Sequence, residues 1–389
     1  MATFQEISEI IKETYLPAWE NQIGVTPSAI MAKLKRVPLT GGEIVTAAPV
    51  GLSGGFGFGQ DGSAIPVAGR RLKKKFKTDA KDMYTEITVS DKVLKLAKGD
   101  TDSIINELDD EIKGAYETAE WNVGRSIFGD GTGILATVTA DSTTDTATVS
   151  DAKFLKEGLT VDLFAAASTD PETATPKVTA RINSIDRAAK TVVLDRAVNA
   201  AEGDFFTVQK SFGRELTGIG AIFNDDITEI YGVNKAQNPF LKPIVVDGSA
   251  GISDTLLNNA LRQAEREKNS KIDFLLMGDS AYDAYITYLR ENNQYNVGTD
   301  MSLDGGFKAI RFLFGNREVA VVNEQFVPDG EIWGVETGKL ELHVTPWDFV
   351  TKDSGAFTLL ADTSVFRALL ASYGDLICKN PGGCLKITL

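Results

Sequence analysis

The sequence predicts an α+β protein with more than one compact region. Three features carry that expectation: a very long amphipathic helix over 100–128, short strands over 137–209 separated by turn residues, and a late stretch, 246–345, where helical and strand patterns alternate. With 389 residues, 43% of them hydrophobic and 24% charged, the chain has material for two or three ordered domains.

The long helix is the firmest element. Ile104, Leu108, Ile112, Ala115, Ala119, Val123 and Ile127 recur every three or four residues and form one apolar stripe. Asp100, Thr101 and Asp102 are capping candidates, and Gly129 is the stop. At ~1.5 Å per residue the helix runs about 40 Å, long for a globular protein.

Ahead of it, Phe4, Ile7, Ile10, Ile11, Tyr15 and Trp19 predict an amphipathic helix over 4–19 that reads equally as an arm or as an ordinary helix on the chain's own core, with a bend or end at Pro17. Residues 41–69 are glycine-rich. Then comes a basic run, Arg70-Arg71-Leu72-Lys73-Lys74-Lys75-Phe76-Lys77, and an alternating stretch, Tyr84-Thr85-Glu86-Ile87-Thr88-Val89. The two are expected to pair as a β-hairpin on a flexible stalk. A lone hairpin is marginal in water and needs a partner surface.

Beyond the helix, strand patterns at 159–164, 177–185, 191–194 and 205–209 predict a small antiparallel barrel or sandwich inserted over 137–210. Ser253–Asn269 and Asp279–Leu289 read as helices, with a buried strand, Ile272–Met277, between them. Strands are expected at Arg317–Asn323 and Glu331–Val344, and the tail Phe357–Leu389 is mostly strand-like.

Totals exclude several functions. The formal net charge of −14 is a poor basis for coating DNA, which needs positive surface, but it favours solubility. No apolar run is long enough to span a bilayer. The start, Met1 to Glu6, lacks the pattern of a secretory signal, so a cytoplasmic site of synthesis and residence is expected. Cys378 and Cys384 are the only cysteines and His343 the only histidine, which rules out the usual zinc constellations. The cysteines flank Pro381-Gly382-Gly383 closely enough for a disulfide, which a reducing cytoplasm disfavours.

Short catalytic motifs occur in the wrong context. Gly57-Phe58-Gly59-Gln60-Asp61-Gly62 matches the dinucleotide pattern but has glycines before it and Pro66 soon after, so a flexible loop is expected. Gly51-Leu52-Ser53-Gly54-Gly55 matches the hydrolase elbow, and Ser53 with His343 is the rival enzymatic reading. The elbow needs a strand-to-helix turn, whereas this is a glycine tract. Asp225-Asp226 and Asp109-Asp110-Glu111 lack calcium-loop spacing and read as solvated faces. No catalytic residue, cofactor or metal ligand is expected.

The order of segments resembles the tailed-phage major capsid proteins of the Hong Kong ninety-seven type. Ile127-Phe128-Gly129-Asp130-Gly131-Thr132-Gly133-Ile134-Leu135 resembles the close of that family's spine helix. Asp273-Phe274-Leu275-Leu276-Met277-Gly278-Asp279-Ser280-Ala281-Tyr282 is similar to its axial-domain strand–helix step, and Phe366 to Leu376 to its returning peripheral strands. The resemblance covers most of the chain outside 137–209. It implies an arm at 1–40, an extended loop at 41–99, a peripheral domain at 100–136, 211–245 and 346–389, the inserted β domain at 137–210 and an axial domain at 246–345.

The implied function is self-assembly into pentamers and hexamers of an icosahedral shell around double-stranded DNA. The implied partners are a separate scaffolding protein, a portal protein and, in some shells, a decoration protein. A separate scaffold follows because the extended loop begins by about residue 50 of a chain numbered from Met1, leaving no room for a cleaved scaffolding segment. Some relatives crosslink a loop lysine to a neighbour's asparagine. Asn380 and the loop lysines are present, but no matching motif selects a pair, and crosslinking is not expected. An encapsulin-like compartment shares the fold and is the alternative shell. In this family the loop lies over the neighbouring subunit near its spine helix. Here the loop carries Arg70, Arg71, Lys73, Lys74, Lys75 and Lys77 without an acid among them, and the helix carries Asp109, Asp110 and Glu111 among eight acids against two bases. Contact between these two sets is therefore expected across subunits; the alternatives are that the loop binds DNA or is simply solvated.

Overall fold

The computed structural model describes residues 28–51, 55–61, 67, 69–90, 101–292, 300–303, 308–350, 358–360 and 363–389, with backbone alone at 89–90, 101–111 and 300–302. The expected arm helix at 4–19 and Ser53 lie outside these residues. The chain divides into two compact units, 125–221 and the remainder.

The larger unit begins at Ser28, whose side chain caps helix α1 (Ala29–Lys33) by accepting from the Ile30 amide and donates to buried Glu324. Strands β1 (Lys35–Pro38), β2 (Glu43–Val50), β3 (Leu72–Asp79) and β4 (Lys81–Ser90) follow, then helix α2 (Thr101–Phe128). The basic strand does not pair with 84–89 as expected. β3 pairs antiparallel with β2, from Glu43 opposite Asp79 to Val50 opposite Leu72. Only Ala80 separates β3 from β4, and no glycine or asparagine is there to reverse the chain. The glycine tract makes the hairpin loop instead. The Ala80 amide donates to the Gly42 carbonyl, and the chain runs straight on into β4.

The apolar stripe of α2 behaves as predicted where side chains are described. Ile112 and Ala119 are buried, while Lys113, Gly114, Glu117 and Thr118 face solvent. Ile112, Ala115, Ala119 and Val123 pack on Ile87, Trp347, Phe349, Ala368 and Leu370.

The smaller unit is a barrel of β5 (Ile134–Thr137), β6 (Thr146–Thr148), β7 (Thr160–Phe164), β8 (Val178–Asp186), β9 (Thr191–Leu194) and β10 (Phe205–Val208), ordered β5-β10-β7-β8-β9-β6. A bridge between Val138 and Val149 and the Thr139-to-Thr148 backbone bond close the ring, so no edge is left open there. Leu135, Val161, Leu163, Ile182, Leu194 and Phe206 are among its core residues. The boundary expected at 137 falls on the last residue of β5, because Ile134 to Ala136 belong to the barrel wall. Within this unit Arg125 pairs both guanidinium nitrogens with Glu215, and both side chains are buried. Gly218 lies against the last carbonyls of α2, where an added Cβ would collide with the oxygens of Ser126, Ile127 and Gly129.

Past the barrel, β11 (Glu229–Ile230) and β12 (Val233–Asn234) form a tight hairpin whose turn residues, Tyr231 and Gly232, both have positive φ (51° and 71°). The rest of the larger unit comprises β13 (Ile244–Asp247), α3 (Asp254–Lys268), β14 (Phe274–Met277), α4 (Asp279–Glu291), β15 (Asp300–Ser302), β16 (Lys308–Phe314), β17 (Arg317–Asn323), β18 (Glu331–Val335), β19 (Leu340–Val344), β20 (Asp348–Phe349), β21 (Thr358–Leu359), β22 (Val365–Cys378) and β23 (Leu385–Thr388). Seven strands form one sheet, β13-β23-β18-β14-β17-β16-β15. Leu257, Ala260, Leu261 and Ala264 of α3 and Ala281, Tyr285 and Leu289 of α4 pack on it. Ser253 and left-handed Asn269 cap the two ends of α3.

The other main sheet has six strands and is organised by β22, which pairs with β4, β19, β20 and β21, while β1 runs parallel to β19. Two strand memberships differ from the expected grouping. Residues 340–344 join the six-stranded sheet, and the final strand, 385–388, enters the seven-stranded one between β13 and β18. Local alternation identifies a strand but does not select its partner.

Candidate functional site

The β2–β3 ribbon is secured at its base and open beyond it. Phe76 is fully buried and its ring lies 5.4 Å from that of Tyr231. The Lys77 amide donates to the Tyr231 carbonyl at 3.0 Å, and Thr78 Oγ1 donates to buried Asp375 at 2.6 Å. Tyr231 is itself buried, and its hydroxyl accepts from the Cys378 amide at 3.0 Å. These contacts hold its left-handed backbone, which a bulky residue seldom adopts. Lys77 Nζ reaches Glu43 at 2.8 Å; that hydrogen bond and charge raise the lysine's pKa.

Outward from Phe76 strand β3 loses its cover, although Ala48 of β2, opposite Lys74, stays buried. Leu72, Lys73, Lys74 and Lys75 are all exposed, so both faces of β3 meet solvent there. Arg70 and Arg71 are exposed as well, and Arg71 Nε reaches the Gly51 carbonyl at 3.3 Å. Residues 55–61 carry no helix or strand. Among the described residues, the hydrolase elbow has a strand before it but no helix over 55–61, and the dinucleotide motif opens no helix over 57–61. Phe56 and Phe58 lie edge-to-face at 5.3 Å and are 85% and 96% exposed. Val67 and Leu72 are also exposed apolar residues. The sequence reading gave these residues no role. Their signal was the tract Gly55-Phe56-Gly57-Phe58-Gly59, two aromatics where glycines preclude a core of their own.

The backbone of Asp109, Asp110 and Glu111 lies in α2, and their side chains are outside the described residues. His343 is mostly buried in β19, where its Nε2 is 3.5 Å from Glu341. Glu341 is engaged by Lys379 at 2.7 Å and Lys35 at 2.9 Å, so the histidine neighbours a structural ion cluster. Asp225 and Asp226 are exposed, and among the described residues no group of three or more His, Cys, Asp or Glu could hold a metal ion. No helix in the described residues is long and apolar enough to cross a membrane.

No family model matches the sequence, and no curated protein does. Solved structures do. The capsid asymmetric unit of cyanophage A-1(L) is 10% identical, covers 91% of this chain and 90% of its own, and superposes with a TM-score of 0.52. The capsid of Myoviridae phage XM1 (7% identical, 92% and 90% covered) and the holo-SrpI encapsulin complex of Synechococcus elongatus PCC 7942 (11%, 94% and 86%) give 0.45 and 0.44. The likeness to the cyanophage chain is one of fold, and this chain has the α+β fold of a phage capsid subunit.

Proposed function

We propose that this chain is the major capsid protein of a tailed double-stranded DNA phage. It assembles into pentamers and hexamers of an icosahedral head, on a separate scaffolding protein, with a portal at one vertex and, in some shells, a decoration protein outside. Assembly takes place in the host cytoplasm, and the mature location is the virion. The role is structural, with no catalytic step.

The observation that carries the proposal is the projecting ribbon on a capsid fold. Exposed Phe56, Phe58, Val67 and Leu72 share it with six basic side chains, and an isolated monomer gains nothing from displaying them. Burying an aromatic side chain on a neighbour contributes ~1.5–3 kcal/mol. Each exposed ion pair adds only ~0.2–1 kcal/mol, so the basic set acts by number and by repetition around the shell. Asp109, Asp110 and Glu111 of the adjacent subunit's long helix are the acidic counterpart.

Sedimentation velocity of the purified chain, with and without its scaffold, tests the proposal. Rising concentration should move mass from the 41.9 kDa subunit into capsomer-sized and larger species. A chain that stays monomeric under every condition, scaffold included, overturns it.

A further inference from the structure

Cys378 ends β22 in the six-stranded sheet, and Cys384 stands one residue before β23 in the seven-stranded sheet. The short 3-10 turn Pro381–Gly383 joins them. The thiols are six positions apart in sequence, with Sγ atoms 3.9 Å apart, and both are buried. The turn is held from all sides. The Cys378 amide donates to the Tyr231 hydroxyl, the Lys379 amide to the Lys339 carbonyl at 2.8 Å, and the Ile244 amide to the Cys384 carbonyl at 3.0 Å. Gly382 and Gly383 have no room for a side chain, because a Cβ would strike the Phe240 carbonyl or the Asn380 side chain.

We propose that Cys378 and Cys384 are a dithiol–disulfide couple, a modification site that staples the passage between the two sheets once the protein leaves a reducing compartment. A disulfide needs the sulfurs at about 2.05 Å, so they must close by less than about 2 Å. The oxidant is a peroxide, small enough to reach a buried thiol. One cysteine takes an oxygen from hydrogen peroxide, giving a sulfenic acid and water. The second thiol attacks that sulfur, forming the S–S bond and expelling a second water. Each sulfur loses one electron, and the peroxide gains two. Hydrogen bonding to Cys378, with burial, raises the Cys384 pKa well above its usual range, so the Cys384 thiol stays protonated and reacts slowly while the chain is made. The same burial shields the finished bond from bulky thiol reductants. The inference does not depend on the shell reading.

The test uses the full-length native protein, exposed to hydrogen peroxide and then denatured in iodoacetamide without reductant. Peptide mass analysis should show an internal Cys378–Cys384 bond, two hydrogens lighter than the dithiol and carrying no alkyl group. Under the same treatment Cys378→Ser should leave a sulfenic acid at Cys384 that dimedone traps. Reduction of the wild-type bond by a dithiol should be about tenfold slower in the native than in the denatured protein. The proposal is overturned if both thiols still alkylate under peroxide that oxidises the denatured chain. Separate oxidation to sulfinic or sulfonic acids, or crosslinks between chains in place of the internal bond, overturns it equally.

Discussion

Glu341 shows how one side chain ties the N-terminal segment to the sheet. It is buried in β19, and burial alone would push its pKa up. Hydrogen bonds from Lys379 and Lys35, with their charges, outweigh that and bring it down to about 2, from an ordinary 4.5. A carboxyl whose folded pKa is depressed contributes stability that is complete above its unfolded value. That contribution is lost as pH falls from about 4.5 toward about 2. Glu341→Gln should therefore lower stability at pH 7 by ~1–3 kcal/mol, the cost of a buried charge-assisted hydrogen bond. It should also flatten the acid limb of the stability curve in that window, as read by denaturant melts at successive pH values. An unchanged acid limb would mean that the cluster contributes nothing. The cluster was not legible in the sequence. Lys35 and Glu341 lie 306 positions apart, and only the parallel pairing of β1 with β19 brings them together. The paired Arg125 and Glu215, 90 positions apart, escaped for the same reason.

At the level of elements, periodicity served well where one chain segment decides its own structure. The stripe of α2, the extent of α3 and the strand–turn rhythm of the barrel were all readable, because each rests on neighbours within a few residues. Pairing was not. The basic strand alternates, but its partner lies upstream in β2, while β4 downstream pairs with β22. The glycine tract that looked like a stalk is the loop of the hairpin. This correction lengthens the projecting ribbon and puts Phe56 and Phe58 in the loop that joins its strands. Reversing Lys73, Lys74 and Lys75 to Glu should leave the melting temperature within a few degrees of wild type, because all three are exposed away from the Phe76 anchor. Assembly, followed by light scattering at low salt, should be blocked. Exchanging Asp109, Asp110 and Glu111 for Lys in the same chain should restore part of it. Normal assembly of the triple reversal at low salt would dismiss the charged docking, since screening is weakest there.

For the whole molecule, the division into two units has a direct consequence. The barrel closes on itself, keeps its own core and includes the Arg125–Glu215 pair within 125–221. A fragment of those residues should fold alone and give dispersed amide resonances. The shorter 137–210 should fold poorly, because it cuts away most of β5 and the buried ion pair. Equal dispersion from both fragments would show that β5 and the pair are dispensable. The larger unit, by contrast, spends a two-stranded ribbon on solvent, which a self-sufficient domain would not do.

The central claim is that copies of this chain supply the surface that the ribbon lacks. Electron microscopy of the concentrated full-length protein, with scaffold added, tests it most directly. The account predicts closed shells, tubes or sheets built from fivefold and sixfold clusters, and their loss in the lysine reversal. A field of dispersed single subunits, with a ribbon that stays free at every concentration, would contradict it.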